Sequence, residues 1–99
     1  MPVEHIVLLK LIRAFTSEEE ETLMKLKELD GVISISCGEN YTSRGLGYNF
    51  GITVRFTTRA AESAYQTHPD HVQFRDAYLK PLFMPDVESP ILVIDYDFR

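Results

Sequence analysis

The chain has three histidines, His5, His68 and His71. Histidine, with an unperturbed pKa of about 6.5, is the side chain best suited to moving protons near neutrality. Two of the three lie in the segment Tyr65-Gln66-Thr67-His68-Pro69-Asp70-His71-Val72, which also supplies a phenol. A histidine close to a phenol in sequence can act as a proton acceptor beside a hydrogen-bond donor. The plainer alternative is a histidine that fills space and bonds a backbone carbonyl. His68 and His71, spaced i, i+3, could share a helical face as metal ligands. However, His68 falls at or outside the helix start, and no cysteine or carboxylate cluster completes a ligand set. No metal and no organic cofactor is expected, and His68 reads as a cap or a turn-positioning residue.

Tyr48, Phe50, Tyr65, Phe74 and Tyr78 could border a pocket for an aromatic molecule. Aromatic residues at strand and helix periods also build cores, which suits Phe50 and Phe74 and explains Tyr65 least. Cys37, the only cysteine, alternates with Ile33 and Ile35 and has no basic sequence neighbour, so a buried, unreactive thiol is expected.

These residues must be positioned by a small chain. Its 99 residues predict one domain spanning 1–99, and a domain this small gains from a partner subunit. A net charge of −5 and the lack of a basic stripe argue against nucleic acid and anionic membranes. The lone cysteine fits a reducing compartment. The N-terminus has no basic n-region, and Lys10 interrupts its apolar run, so neither a signal peptide nor a membrane span is expected and a cytoplasmic location follows.

His5 to Arg13 is an almost continuous apolar run that reads as a strand. Ser17-Glu18-Glu19-Glu20 predicts a capping box, followed by Leu23, Leu26 and Leu29 at helical spacing and a stop at Asp30-Gly31. Val32 to Gly38 alternates, with Ile33, Ile35 and Cys37 on one face. Glu39 to Gly47 is a polar loop, and Tyr48 to Thr57 alternates again. Arg59 to Gln66 predicts a helix broken at His68-Pro69, and a further helix carries His71, Phe74, Ala77 and Tyr78 until Pro81 and Pro85. Ile91 to Tyr96 is the last strand.

This order, β-α-β-β-α-β, predicts an α+β, ferredoxin-like antiparallel sheet with its helices on one face. The opposite face cannot be polar. The first strand carries Val7, Leu9 and Leu11 on one side and Ile6, Leu8 and Ile12 on the other. The last strand sets Ile91 and Val93 against Leu92 and Ile94. No third helix is available as cover, so a homodimer packed sheet to sheet, a dimeric α+β barrel, is expected.

Several segments together resemble the stress-responsive A/B barrel family: His5 to Leu11, Gly31-Val32 through Gly38, Gly47-Tyr48, Tyr65 to Val72, and Ile91 to Tyr96. The Tyr-x-x-His-Pro-x-His stretch is the most specific of them. Among olivetolic acid cyclase-like members the resemblance implies aldol ring closure without metal or organic cofactor. It places the catalytic histidine on His71, its tyrosine partner on Tyr65, a further pocket histidine on His5, and the His-Pro histidine on His68. Three departures stand out: Phe50 where those cyclases have a histidine, Thr22 or Leu23 where they have a tyrosine, and a proline-rich Lys80 to Pro90. The expected function is the binding of a small, partly apolar molecule in a pocket bordered by Tyr65, His71, His5, His68, Tyr48, Phe50 and Phe74. Cyclase-like chemistry with His71 as base is the enzymatic form of that reading. A structural, stress-protective homodimer and, more remotely, a heme- or oxygen-using barrel enzyme are the alternatives.

Overall fold

The computed structural model describes residues 1–99. The elements are β1 (Val3–Leu9), α1 (Ser17–Lys25, tightening into a 3-10 turn at Leu26–Glu28), β2 (Val32–Glu39), β3 (Phe50–Phe56), α2 (Arg59–Thr67), α3 (Pro69–Phe74) and β4 (Ile91–Asp97). Beyond α3 the chain widens into a π turn, Arg75–Leu79, and closes in a 3-10 turn, Lys80–Leu82. The strands lie in the order β2-β3-β1-β4, every neighbouring pair antiparallel, as the ferredoxin-like arrangement requires. None of the helices is long and apolar enough to cross a membrane.

Strict alternation makes β3 the floor of the core. Phe50, Ile52, Val54 and Phe56 are buried, and the residues between them are half-buried. Val3, Val7 and Leu9 of β1 face the same way and meet Leu23 and Leu26 of α1, Tyr65 of α2 and Phe74 of α3. Gly31 turns the chain from α1 into β2 at φ +83°, where a Cβ would lie 2.4 Å from that of Ala61. Glycine is therefore required there both by backbone conformation and by the close approach of α2.

Two local expectations are corrected. The capping box begins one residue earlier than the sequence suggested. Thr16, not Ser17, accepts from the Glu19 amide at 3.2 Å, and the Glu19 carboxylate returns to the Thr16 amide at 2.8 Å. The Arg13 guanidinium grips the same carboxylate at 2.7 and 3.0 Å and holds it at about 2, far below its ordinary value. That fork selects Glu19 over Glu20. Thr16→Ala is therefore expected to cost about 1 kcal/mol in urea unfolding, with Ser17→Ala near neutral; the opposite ranking would place the cap at Ser17. In β2, a bulge between Val32 and Ser34 breaks the register, so Ile33 leaves the inner face and is 47% exposed. Val32 packs against the core in its place, because the extra residue inverts the alternation before Ile35.

The outer face of the sheet is divided. On the β2–β3 side it carries Ser34, Ser36 and Thr53, whereas on the β1–β4 side it carries Ile6, Leu8, Leu92, Ile94 and Tyr96. Leu92, Ile94 and Tyr96 are 45, 52 and 47% exposed. No element of the chain covers this apolar strip.

Candidate functional site

A cavity of about 330 Å³ lies between the inner face of the sheet and helices α2 and α3, beside the β4 edge. Val7, Ile52 and Val54 form its floor, Leu23, Phe74 and Leu79 its roof, and Ile91 and Val93 its β4 wall. An apolar chamber with a few converging polar groups is the usual form of a small-molecule site. The polar groups here fall into two sets.

The first set comes from α2 and α3. Thr58 caps α2 by accepting from the Ala61 amide at 3.1 Å, which fixes the turn that presents Glu62, Tyr65 and Gln66 to the cavity. Tyr65 is only 4% exposed, and its hydroxyl has no hydrogen-bond partner in the protein. Burial pushes its phenol above the ordinary tyrosine value, so the group is a donor and not a phenolate. Its ring lies 4.4 Å from that of His71, centroid to centroid. Pro69 starts α3 at the position where a missing amide hydrogen costs nothing, and His71 follows in the first turn. His71 Nδ1 sits 3.2 Å from the Gln66 carbonyl. A carbonyl only accepts, so Nδ1 carries the hydrogen and Nε2 keeps its lone pair in the neutral ring. Burial lowers the His71 pKa, Arg75 and His5 add to the effect, and the Gln66 bond opposes it. A neutral imidazole with a free Nε2 beside a buried phenol is a base next to a proton donor.

The second set is His5, Glu62 and Asp95. His5 and Asp95 are opposite one another in the β1–β4 register, both on the inner face. The His5 Nδ1 hydrogen-bonds Asp95 Oδ1 and lies 3.1 Å from Glu62 Oε2. Burial, together with the neighbouring Asp95 carboxylate, pushes Glu62 up to about 7. Burial also acts upward on Asp95, but bonds from Glu62 and His5 outweigh it and leave Asp95 below its usual range. A proton on Glu62, shared toward an ionised Asp95, is the arrangement these shifts describe.

The structure thus brings His71, Tyr65, His5 and Phe74 to one cavity and leaves four other sequence candidates, His68, Tyr48, Phe50 and Tyr78, outside it. His68 Nδ1 accepts from the Asp70 amide at 3.1 Å, so this histidine ends α2 and caps α3. Tyr48 donates to the Ser89 carbonyl at 3.1 Å while Lys10 lies over its ring, tying the β2–β3 loop to the segment before β4. Phe50 packs against Phe15 in the core, with ring centroids 4.6 Å apart. Cys37 is half-buried, and burial followed by the nearby Glu20 raises its pKa, which keeps it a thiol.

Among the lining residues that the sequence did not single out for the pocket are Glu62, Asp95, Arg75 and Leu79. Two had visible signals. Asp95 shares the inward face with Ile91 and Val93, an odd place for a carboxylate, and Glu62 precedes Tyr65 by one helical turn. Leu79 had none, because α-helical spacing selects Tyr78. The π turn adds a residue to that revolution, which turns Leu79 to the cavity. Tyr78 instead stacks on Phe74 from outside, with centroids 5.9 Å apart.

Residues 3–98 match the family model for the stress responsive A/B barrel domain. No curated protein matches the chain. Among solved structures, a Dabb family protein with a ferredoxin-like fold from Mesorhizobium loti is 28% identical, with 99% of this chain and 97% of that one covered at TM-score 0.72. A dimeric ferredoxin-like protein of unknown function from Jannaschia is 23% identical, covering 99% and 100% of the two chains at TM-score 0.73. A hydroxynitrile lyase from Passiflora edulis is 14% identical, covering 99% and 94% at TM-score 0.73.

Proposed function

This chain belongs to the stress responsive A/B barrel domain family, and from that premise we propose a homodimer that binds a small, partly apolar molecule and removes a proton from it with His71. The observation that carries the reading is the pairing of His71 Nε2, its lone pair held free by the Nδ1 bond to Gln66, with the unpartnered Tyr65 hydroxyl at one cavity. His71 takes a proton from a carbon beside a carbonyl, and Tyr65 donates a hydrogen bond to the oxygen on which negative charge gathers. The apolar floor and roof exclude water and hold the rest of the molecule. Ring closure of a polyketide-like chain is the cyclase form of this chemistry, since the enolate attacks a second carbonyl of the same molecule. The Passiflora neighbour, described as a hydroxynitrile lyase, makes small-molecule chemistry on this fold a reasonable expectation. The dimer reading rests on the uncovered strip of Leu92, Ile94 and Tyr96 and on neighbours described as dimeric.

The test is proton exchange in heavy water with benzylacetone, an apolar ring carrying C–H bonds beside a ketone. Deuterium incorporation faster than in buffer, competed by a second aromatic ketone, is the expected result. A protein that neither binds the probe nor accelerates exchange in a wider panel of ketones would favour the structural, non-catalytic homodimer.

A further inference from the structure

We infer that His5, Glu62 and Asp95 form a binding site for one divalent transition-metal cation, of the zinc or cobalt class, at the β4 end of the cavity. The inference goes beyond the proton-transfer reading and does not depend on it. The donors come from three elements, β1, α2 and β4, and their ligating atoms all lie within 4.8 Å of one another. His5 Nδ1 lies 3.1 Å from Glu62 Oε2 and is in direct contact with Asp95 Oδ1. Adjacent ligands of an ion bound at about 2.0–2.2 Å stand roughly 3 to 3.5 Å apart, so little movement would seat an ion among the three.

The chemistry of the donors is specific. One imidazole nitrogen and two carboxylates suit zinc, cobalt or a neighbouring transition metal, whereas magnesium and calcium favour shells made entirely of oxygen. With both carboxylates ionised, the set carries two negative charges, which one divalent cation cancels. No arginine hydrogen-bonds either carboxylate: Arg59 is engaged by Asp97 at 3.0 and 2.7 Å, and Arg75, which lines the same cavity, by Asp76 at 3.1 Å. The positions of the ligands are also well fixed. His5 is 6% exposed and sits within the β1–β4 pairing opposite Asp95, and Glu62 is held by the capped first turn of α2. Three protein ligands on one side leave the remaining positions facing the cavity, the layout of a metal site open to water or to a ligand oxygen. No short-range spacing motif marks this set, because its members are spread across nearly the whole chain, from residue 5 to residue 95.

The experiment is titration of the chelator-treated full-length chain with cobalt(II), read by its visible absorption, and with zinc(II), read by calorimetry. A mildly alkaline buffer is used so that the carboxylates are free of protons. The expected result is saturation at one ion per chain. Binding should be lost in His5→Ala and at least tenfold weaker in Asp95→Asn, which keeps the size and a hydrogen-bond acceptor for His5. It should be unchanged in His71→Ala, which removes the imidazole nearest the set in the cavity. Circular dichroism checks the fold of each variant, and Asp95→Asn carries the test alone if His5→Ala does not fold. Absence of stoichiometric binding by the unaltered chain, or binding indifferent to Asp95→Asn, would overturn the inference.

Discussion

Replacing His71 with alanine is expected to lower deuterium incorporation into a bound ketone roughly 10²- to 10⁴-fold, the range a positioned general base supplies. Affinity for the ketone should hardly change, because the apolar contacts come from Val7, Ile52, Val54, Phe74 and Leu79. Tyr65→Phe should slow exchange less and raise the pH at which it becomes measurable, since it removes the enolate's donor and leaves the base. The split between rate and binding is what separates catalysis from packing. A space-filling histidine would, on truncation, weaken binding or the fold and leave residual exchange at the same rate per bound molecule. Exchange measured against probe concentration, in both variants, distinguishes the two.

The second large effect concerns assembly. Ile94→Asp combined with Leu92→Asp is expected to convert the dimer to monomer, raising the dissociation constant a hundredfold or more. Each carboxylate would have to be buried without a partner at the sheet-to-sheet contact, and a cost of about 3 kcal/mol already exceeds a hundredfold. Both side chains are about half exposed within one chain, so the substitutions leave that chain's own core intact. Sedimentation velocity reads the result directly. A variant that remains dimeric with the native sedimentation coefficient would show that the strip is not the contact.

The strands and their order were legible because their physics is local. Alternation in Phe50 to Phe56 and two-sided apolarity in β1 and β4 follow from the period of a strand, and the ferredoxin-like order follows from the succession of elements. The misses have equally specific causes. The cap moved from Ser17 to Thr16 because Arg13, outside the capping motif, fixes Glu19. Ile33 turned outward because of one bulge residue, and Leu79 replaced Tyr78 because of one extra residue in a helical turn. In each case a single residue shifts which side chain faces the core, and nothing in the composition of the segment marks it. At the site, the Tyr65–His71 pair lay within one short motif and could be read. The partners of His5 could not be assembled from the sequence, since Asp95 reaches it only through strand pairing across the length of the chain. Tyr48 and Phe50 were drawn toward the pocket by aromaticity alone, and the structure uses them for loop anchoring and core packing.

The central chemical claim is that His71 is a neutral base with its lone pair on Nε2, and nitrogen-detected NMR across a pH titration tests it without any substrate. The Nδ1–H form should dominate at neutral pH, and the ring should titrate below the ordinary histidine value, because burial disfavours its charge. The sign carries over to stability: below about pH 6.5 the unfolded chain binds a proton that the folded one resists, so this site loses stability as the pH falls and contributes no loss above that range. A His71 that holds its hydrogen on Nε2, or that titrates at or above the value of a free histidine, would contradict the account.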